Sequence, residues 1–554
     1  MASKHERPTQ GLVRYSSRRL PRLPNAAPIH RTMRTRTSLT LAILALLSAC
    51  GGDAATLSPL RFDPAHSGYV PPRFTDAGRL ERIQGLLPAV RGVFERNAHD
   101  NHYPGHAFGL LVDGELVLAD GLGVVNLRTQ EPVTADSGFH IASMTKSFTA
   151  MAILKLRDAG QLSLQDPVVS YIPELRRHQY PTSDSPHITI ENLMTMTSGF
   201  PEDNPWADRH LEDSDQVFMG VLEEGLSMST VPSTGYEYSN LGYGMLGTVI
   251  TRVSGQRYQD YITDEILVPL GMEDTHWEYT NVPAERLALG YLWKDGQWVP
   301  EPMLHTGAFG AIGGLITSIN DFSKYVAFQL SAWPPRSDPD DGPVKRSTVR
   351  EMHRPATQRL SPDAKSPDGA PCPSMRGYGY GLFARTDCHG VRRIEHTGGL
   401  PGFGSNYQFF PEHGVAIISF SNHRYGSSRP AHEEVGQLLF DGAQLPPREL
   451  PASDILEERV PQLVQLLTTW DVELGNEILA DNFYLDQSRG DRMRSVQKLL
   501  DEAGPILSVD PIQAVNQLRG TFVIRARDKD LRVYFTLSPK RHAGVQRLDV
   551  SRMP

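Results

Sequence analysis

A chain of 554 residues is too long for one compact core, so two domains are expected. Hydrophobic residues make up 39% and charged residues 21%, the balance of a folded globular protein. The formal net charge is -9, but the first 50 residues hold nine Lys/Arg and one Glu. The remainder therefore stands at -17, a surface that repels phosphate backbones and argues against a nucleic-acid partner.

Residues 1–32 carry four prolines and no periodic pattern, and read as an over-extended start or a leader. From Met33 the chain reads MRTRTSLTLAILALLSACGG. Arg34 and Arg36 give a basic flank, and Leu41 to Leu47 an apolar run too short to span a membrane, so a signal peptide is expected. Leu47-Ser48-Ala49-Cys50 resembles a bacterial lipobox. That resemblance implies lipidation at Cys50, export, and anchoring at the periplasmic face of the cell envelope, with the outer membrane the expected one. Residues 51–78 are rich in Gly, Pro and Ala and read as a tether. Cys372 and Cys388 are the only other cysteines. In an oxidising compartment they could form a disulfide or remain two thiols, and spacing alone does not decide.

A first domain is expected over residues 79–444, with periodic structure from about Leu80. Ala107 to Val112 and Glu115 to Ala119 are apolar-rich runs joined by Asp113-Gly114, a strong hairpin signal. Ser143 to Asp158 reads as one buried helix ended by Gly160, apolar nearly all round. A second apolar helix follows Asn240 and runs to Gly255. Val391 to Thr397, Ser405 to Phe410 and Val415 to Ser421 read as strands, the last two joined by a Pro411–Gly414 turn. Hairpins at both ends of a helix-rich segment predict an α+β domain with an antiparallel sheet flanked by helices. Residues 445–454, rich in proline, read as a linker. Over 455–554 the pattern predicts helices at Ile455 to Asn476 and Met493 to Glu502, then strands within Gly520 to Val550. This small α+β domain weakly resembles nuclear-transport-factor-2-like modules. A lipocalin-like barrel is the alternative.

The chemistry centres on Ser143-Met144-Thr145-Lys146. Residues three apart share a helix face, so Ser143 Oγ and Lys146 Nζ can meet. A serine hydroxyl is a poor nucleophile until a base takes its proton, and a lysine on a buried helix can be that base because burial disfavours its charge. Such a motif arises by chance as an N-cap serine with a surface lysine. Two further motifs follow it in order: Tyr238-Ser239-Asn240, 95 residues after Ser143, and His396-Thr397-Gly398, followed by Gly399.

The order S-x-x-K, Y-x-N, [KH]-T-G is similar to that of class C β-lactamases, D-Ala-D-Ala carboxypeptidases and related esterases, that is, serine β-lactamases and penicillin-binding proteins. The segments ENLMTMTSGFP (191–201), LSLQDPVVSYIPEL (162–175) and TGGLPGFGSNYQFFP (397–411) resemble this family too. The resemblance implies a β-lactamase/transpeptidase-like fold and an acyl-serine mechanism. Ser143 is then the nucleophile, and Lys146 and Tyr238 handle protons. Asn240 donates to a substrate carbonyl, the Ser143 and Gly399 backbone N–H groups form the oxyanion hole, and the side-chain-free Gly398 and Gly399 let substrate lie along the strand. His396, with Thr397, stands where relatives usually have a lysine that attracts a carboxylate. A shorter, mostly neutral group there weakens carboxylate recognition and points toward an esterase or peptidase. Met196 also departs, since relatives often have His before Thr197-Ser198-Gly199, which reads as a helix stop. His99-Asp100-Asn101-His102 lacks zinc spacing and reads as a solvated loop. No metal or cofactor is expected, and the partner expected besides the membrane is a small-molecule or peptide substrate. The contrasting reading is a non-turnover penicillin-binding or sensor lipoprotein that is acylated and never deacylated.

Overall fold

The computed structural model describes residues 69–366 and 369–553. The expected leader, signal peptide and Cys50, and residues 51–68 of the expected tether, lie outside the described residues. The fold is α+β, with two main antiparallel sheets and two small two-stranded ones among the described residues. The larger comprises β1 (Gly105–Val112), β2 (Glu115–Gly123), β3 (Thr357–Ser361), β4 (Ser374–Tyr378), β5 (Phe383–Thr386), β6 (Arg392–Leu400), β7 (Phe403–Phe410) and β8 (Val415–Ser421), in the order β2-β1-β8-β7-β6-β5-β4-β3. The first hairpin thus pairs with the last strand, His106 opposite Ser421 and Val112 opposite Val415. Asp113 and Gly114 both have positive φ, as a tight two-residue hairpin turn requires.

β1, β7 and β8 are buried along their whole length. Successive side chains point to opposite faces. Ala107, Leu111, Ala416 and Ile418 join the core shared with the helices of residues 146–330. Phe108, Leu110, Val112, Val415 and Ile417 join a second core under α1 (Arg79–Asp100) and the helix Arg429–Gln437. A sheet covered on both faces has no solvent side, which explains the unbroken apolar runs. Each fully buried Leu or Phe contributes about 1.5–3 kcal/mol.

α2 (Lys146–Asp158) ends before Gly160 at φ +72°, and α3 (Asn240–Ser254) before Gly255 at φ +75°. The helix expected from Ser143 begins only at Lys146. Ser143 lies in a tighter 3₁₀ turn, Ala142–Thr145, entered through Ala142 at φ +49°. His99 and Asp100 correct a second expectation: they close the last turn of α1, and His102 stacks on Trp293 at 4.4 Å.

The C-terminal region builds a separate core of Leu456, Leu463, Phe522, Val533 and Phe535. α4 (Asp454–Thr469) stops at Trp470, φ +49°, and a short helix, Val472–Ile478, follows, so the helix expected to Asn476 is two. After α5 (Arg489–Ala503) come β9 (Ile506–Val509), β10 (Gln513–Asn516), β11 (Arg519–Ala526), β12 (Leu531–Leu537) and β13 (Val545–Arg552). Their order is β9-β11-β12-β13, with β10 also pairing β11. β9 and β10 escaped the sequence reading because they are half-exposed and lack a sustained apolar alternation. The proline-rich segment before α4 is tied to the larger sheet region. Glu449 and Arg73 exchange two backbone hydrogen bonds of 2.9 Å, and Arg448 N donates to Glu412 O. No helix among the described residues is long and apolar enough to cross a membrane.

Cys372 and Cys388 are disulfide-bonded, 5.0 Å apart at Cα, and join the outer ends of the β4–β5 hairpin. Cross-linking a loop of this length stabilises by about 3 kcal/mol. The double substitution Cys372→Ser/Cys388→Ser should lower unfolding free energy by that order in urea titrations, while an equal midpoint with and without the cysteines would show that the bridge adds nothing.

Candidate active site

The turn that carries Ser143 and β6 are held together by a missing side chain. A Cβ on Gly398 would stand 2.2 Å from Ile141 O, 2.3 Å from Ser405 Oγ and 2.9 Å from Ala142 Cβ. Ser405, opposite Gly398 in the ladder, donates from Oγ to Ile141 O at 2.7 Å. Only glycine lets β6 approach the Ser143 turn this closely, so Gly398 serves the protein's own packing, where the sequence suggested room for substrate. Gly399 has Tyr425 Cδ1 2.7 Å from its would-be Cβ. β5 pairs with β6 only from Arg392 to Glu395, so from His396 onward that strand edge has no strand partner among the described residues. This unpaired edge faces a cleft of about 420 Å³ lined by Ser143, Tyr238, His396, Thr397, Gly398 and Gly399.

Lys146 is fully buried. Its Nζ donates to Ser143 Oγ at 2.9 Å and to Ile312 O at 2.8 Å. It also lies 5.2 Å from the Tyr238 ring centroid and 5.8 Å from that of Tyr243. Burial pulls its pKa down from 10.5 to about 7, against the opposing pull of Asp208 and Asp203. A free amine is therefore available beside Ser143 at neutral pH. Burial pushes the Tyr238 phenol well above its ordinary value, with a hydrogen bond to Ser143 acting against it. Tyr238 is thus a neutral phenol beside Ser143.

Tyr238 is held from below by the Met196 segment. Met196 O accepts from Glu237 N at 3.0 Å, and Met196 Sδ from Ser239 N at 3.2 Å. The short helix Ile190–Met194 ends just before it, capped at its start by Thr189 and Asn192. Thr197-Ser198-Gly199 therefore follows a helix stop and supports the tyrosine loop.

Asn240 is placed behind the cleft and is absent from its wall. The first turn of a helix leaves backbone N–H groups without partners. Asp203 takes two of them, from Asn240 and Leu241, at 2.7 and 2.8 Å. The Asn240 side-chain amide donates one of its two N–H groups to Asn204 Oδ1 at 2.8 Å, and Asn204 lines the cleft.

His396 is buried with both ring nitrogens engaged. Nδ1 lies 2.6 Å from Thr397 O, which can only accept, so Nδ1 carries the proton. Nε2 then accepts from the Tyr378 hydroxyl at 3.3 Å. Burial, followed by the Lys146 charge, lowers its pKa to about 3, so it is neutral across the working range.

Further wall residues, which the sequence reading did not select, include Asn204, Asp208, Tyr236, Arg376, Phe383 and Tyr425. Only Tyr236, two before Tyr238 in YEYSN, had a signal in its position. Among the described residues the one cluster of metal-ligand type is Cys372, Cys388 and His389, and its cysteines are in the disulfide.

Comparison with known proteins follows this geometry. A family model described as Beta-lactamase matches residues 90–439. Protein flp of Staphylococcus aureus strain MW2 is 29% identical over 337 residues, covering 60% of this chain and 62% of that protein. Beta-lactamase-like protein 2 of Dictyostelium discoideum is 31% identical over 260 residues, 46% of this chain and 47% of that one. The chain thus spans less than two thirds of these relatives' length. Among solved structures, the octameric penicillin-binding protein homologue of Pyrococcus abyssi superposes with a TM-score of 0.52 at 21% identity, covering 84% of this chain and 95% of that one. D-alanine carboxypeptidase AmpC from Burkholderia cenocepacia gives 0.50 at 22%, covering 64% and 99%. At these identities the structural likeness is one of fold.

Two measurements check the site. The rate of covalent labelling of Ser143 by a fluorophosphonate should rise with pH along a single-proton limb centred near 7, as Lys146 loses its proton. A rate flat from pH 5.5 to 8.5 would remove Lys146 as the base. Gly398→Ala should slow that labelling by about a hundredfold, because displacing the Ser143 turn by about 1 Å spoils its alignment. Circular dichroism should show the fold retained.

Proposed function

The chain belongs to the beta-lactamase family, and from that premise we propose that it is an acyl-serine hydrolase of small esters or amides. The observation that carries this reading is the enclosed 2.9 Å contact between Lys146 Nζ and Ser143 Oγ. In the proposed cycle the Lys146 amine takes the Ser143 hydroxyl proton as Oγ attacks the acyl carbon. The oxyanion forms against the Ser143 and Gly399 backbone N–H groups. The Tyr238 hydroxyl passes a proton to the departing alcohol or amine and regains one from the Lys146 ammonium. Water, giving its proton back through the same pair, then attacks the acyl carbon, releases the acid and restores Ser143.

The substrate tilts toward esters and short peptides. No lysine stands at position 396, and the neutral histidine there has its nitrogens bonded within the protein. The experiment is a side-by-side screen with p-nitrophenyl acetate, nitrocefin and a D-Ala-D-Ala peptide, on the wild type and on Ser143→Ala. Turnover of the ester above that of nitrocefin, abolished together with fluorophosphonate labelling in Ser143→Ala, is expected. Stoichiometric acylation with no turnover of any substrate would instead favour a non-turnover binding lipoprotein.

We further propose export and lipid anchoring through Cys50, on the basis of the sequence from Met33 to Cys50. Cys50→Ser expressed in a bacterial host should move the protein from the membrane to the soluble fraction. A processed variant that still sediments with membranes would place the anchor elsewhere.

A further inference from the structure

The C-terminal region holds a cleft of its own, about 700 Å³ in volume, between the end of α4 and one face of α5. It shares no wall residue with the cleft at Ser143, and its volume is in the range of small-molecule sites. Trp470 stands in its wall, in the left-handed conformation that ends α4. The backbone there is pinned, since Trp470 N donates to Leu466 O at 2.8 Å and Trp470 O accepts from Arg489. The side chain is only 5% exposed, yet its indole Nε1 has no hydrogen-bond partner. An indole nitrogen only donates, and a buried one ordinarily reaches an acceptor. Left unmet, the donor destabilises the fold, and an acceptor carried by a ligand would remove that cost.

The polar groups of this wall fix what the ligand must carry. On α5, Met493, Gln497 and Asp501 form one row at a spacing of four, with Arg494 and Lys498 in the row beside it. Most of the wall is already engaged. Asp501 accepts from the Gln497 amide at 2.8 Å, Arg494 pairs with Asp491, and Glu502 pairs with Arg552. The Thr469 hydroxyl donates to Gln465 O at 2.8 Å, and that of Thr468 to Gln465 O at 2.9 Å and Val464 O at 3.0 Å. Lys498 is the charged group of the wall with neither ion pair nor hydrogen bond among the described residues. Two donors are thus uncommitted, an indole N–H and an ammonium, beside the exposed side chain of Met493.

We propose that this cleft binds a small carboxylate with an apolar tail. Its oxygens accept from Trp470 Nε1 and from the Lys498 ammonium, and its tail lies against Met493 and the indole ring. One free cation balances one negative charge, whereas the second charge of a phosphate would face Asp501 and Glu502. A protonated amine offers neither donor an acceptor. The site is independent of the acyl-serine reading, because no step of that cycle uses it.

The test is a nuclear magnetic resonance titration of the full chain, its six tryptophans isotope-labelled in the indole ring. The indole N–H signal absent from Trp470→Phe is that of Trp470. At neutral pH, hexanoate should displace this signal saturably, hexanamide only at about tenfold higher concentration, and hexylamine and inorganic phosphate not at all. Lys498→Gln removes the ammonium from an exposed position and keeps a good helix former there, so it should erase the preference for hexanoate over hexanamide. Calorimetry of the same four probes on the wild type and Lys498→Gln reads that preference without signal assignment, should Trp470→Phe fail to fold. A Trp470 signal that hexanoate leaves in place, equal affinity for acid and amide, tighter binding of phosphate, or a preference that survives Lys498→Gln overturns the proposal.

Discussion

The burial of one ammonium group governs the catalytic half of this molecule. Lys146 has no route to solvent, and a depression of its pKa from 10.5 to about 7 corresponds to roughly 5 kcal/mol against its charged form. The surroundings that impose this cost also make the group useful. Two aromatic rings and one carbonyl enclose it, and one of its hydrogen bonds goes to the Ser143 hydroxyl. An exposed lysine at the same spacing would stay protonated at neutral pH. The apolar faces of α2 and α3 therefore serve chemistry as well as stability, because they supply the low-dielectric wall that holds the amine neutral.

The second constraint is steric. Two parts of the chain far apart in sequence meet at Gly398: the Ile141–Ala142 turn and the β6–β7 hairpin, which contributes Gly398 and Ser405. No side chain fits there, so the position of the nucleophile relative to the open strand edge is set by backbone contact. Backbone contacts between a turn and a sheet are stiffer than contacts through side chains, and the alignment of Ser143 needs that stiffness. Left-handed Ala142 belongs to the same device, since strain at a nucleophile's turn persists only where the surroundings over-determine it.

The polar groups around this frame divide by task. Asp203 and Asn204 lie one residue apart in sequence. The first caps α3, and the second holds the Asn240 amide while lining the cleft. Met196 fixes the tyrosine loop through its carbonyl and sulfur, which explains how a methionine is accommodated before Thr197-Ser198-Gly199. His396 spends both nitrogens on internal bonds and orients the strand at the mouth of the site.

The linear chain by itself picked out Ser143, Lys146 and Tyr238, which the fold brings together, and the strand of the His396 motif. It also determined the α+β class and the turns at Asp113-Gly114, Gly160 and Gly255. These are legible because their physics is local: a spacing of three on a helix, glycine where φ is positive, apolar runs where a sheet is covered twice. Only the tertiary structure decided that Ser143 sits in a 3₁₀ turn ahead of α2, that Cys372 meets Cys388, and that Asn240 is turned away behind Asn204. It alone brought Asp208, Arg376 and Tyr425 into the wall of the cleft. Such groups come from loops and strands with no periodic or motif signal, and their charges acquire meaning only through what surrounds them. Burial, the absence of a counter-ion and distance along a neighbouring strand are properties of the folded chain, set by long-range packing that no local pattern encodes.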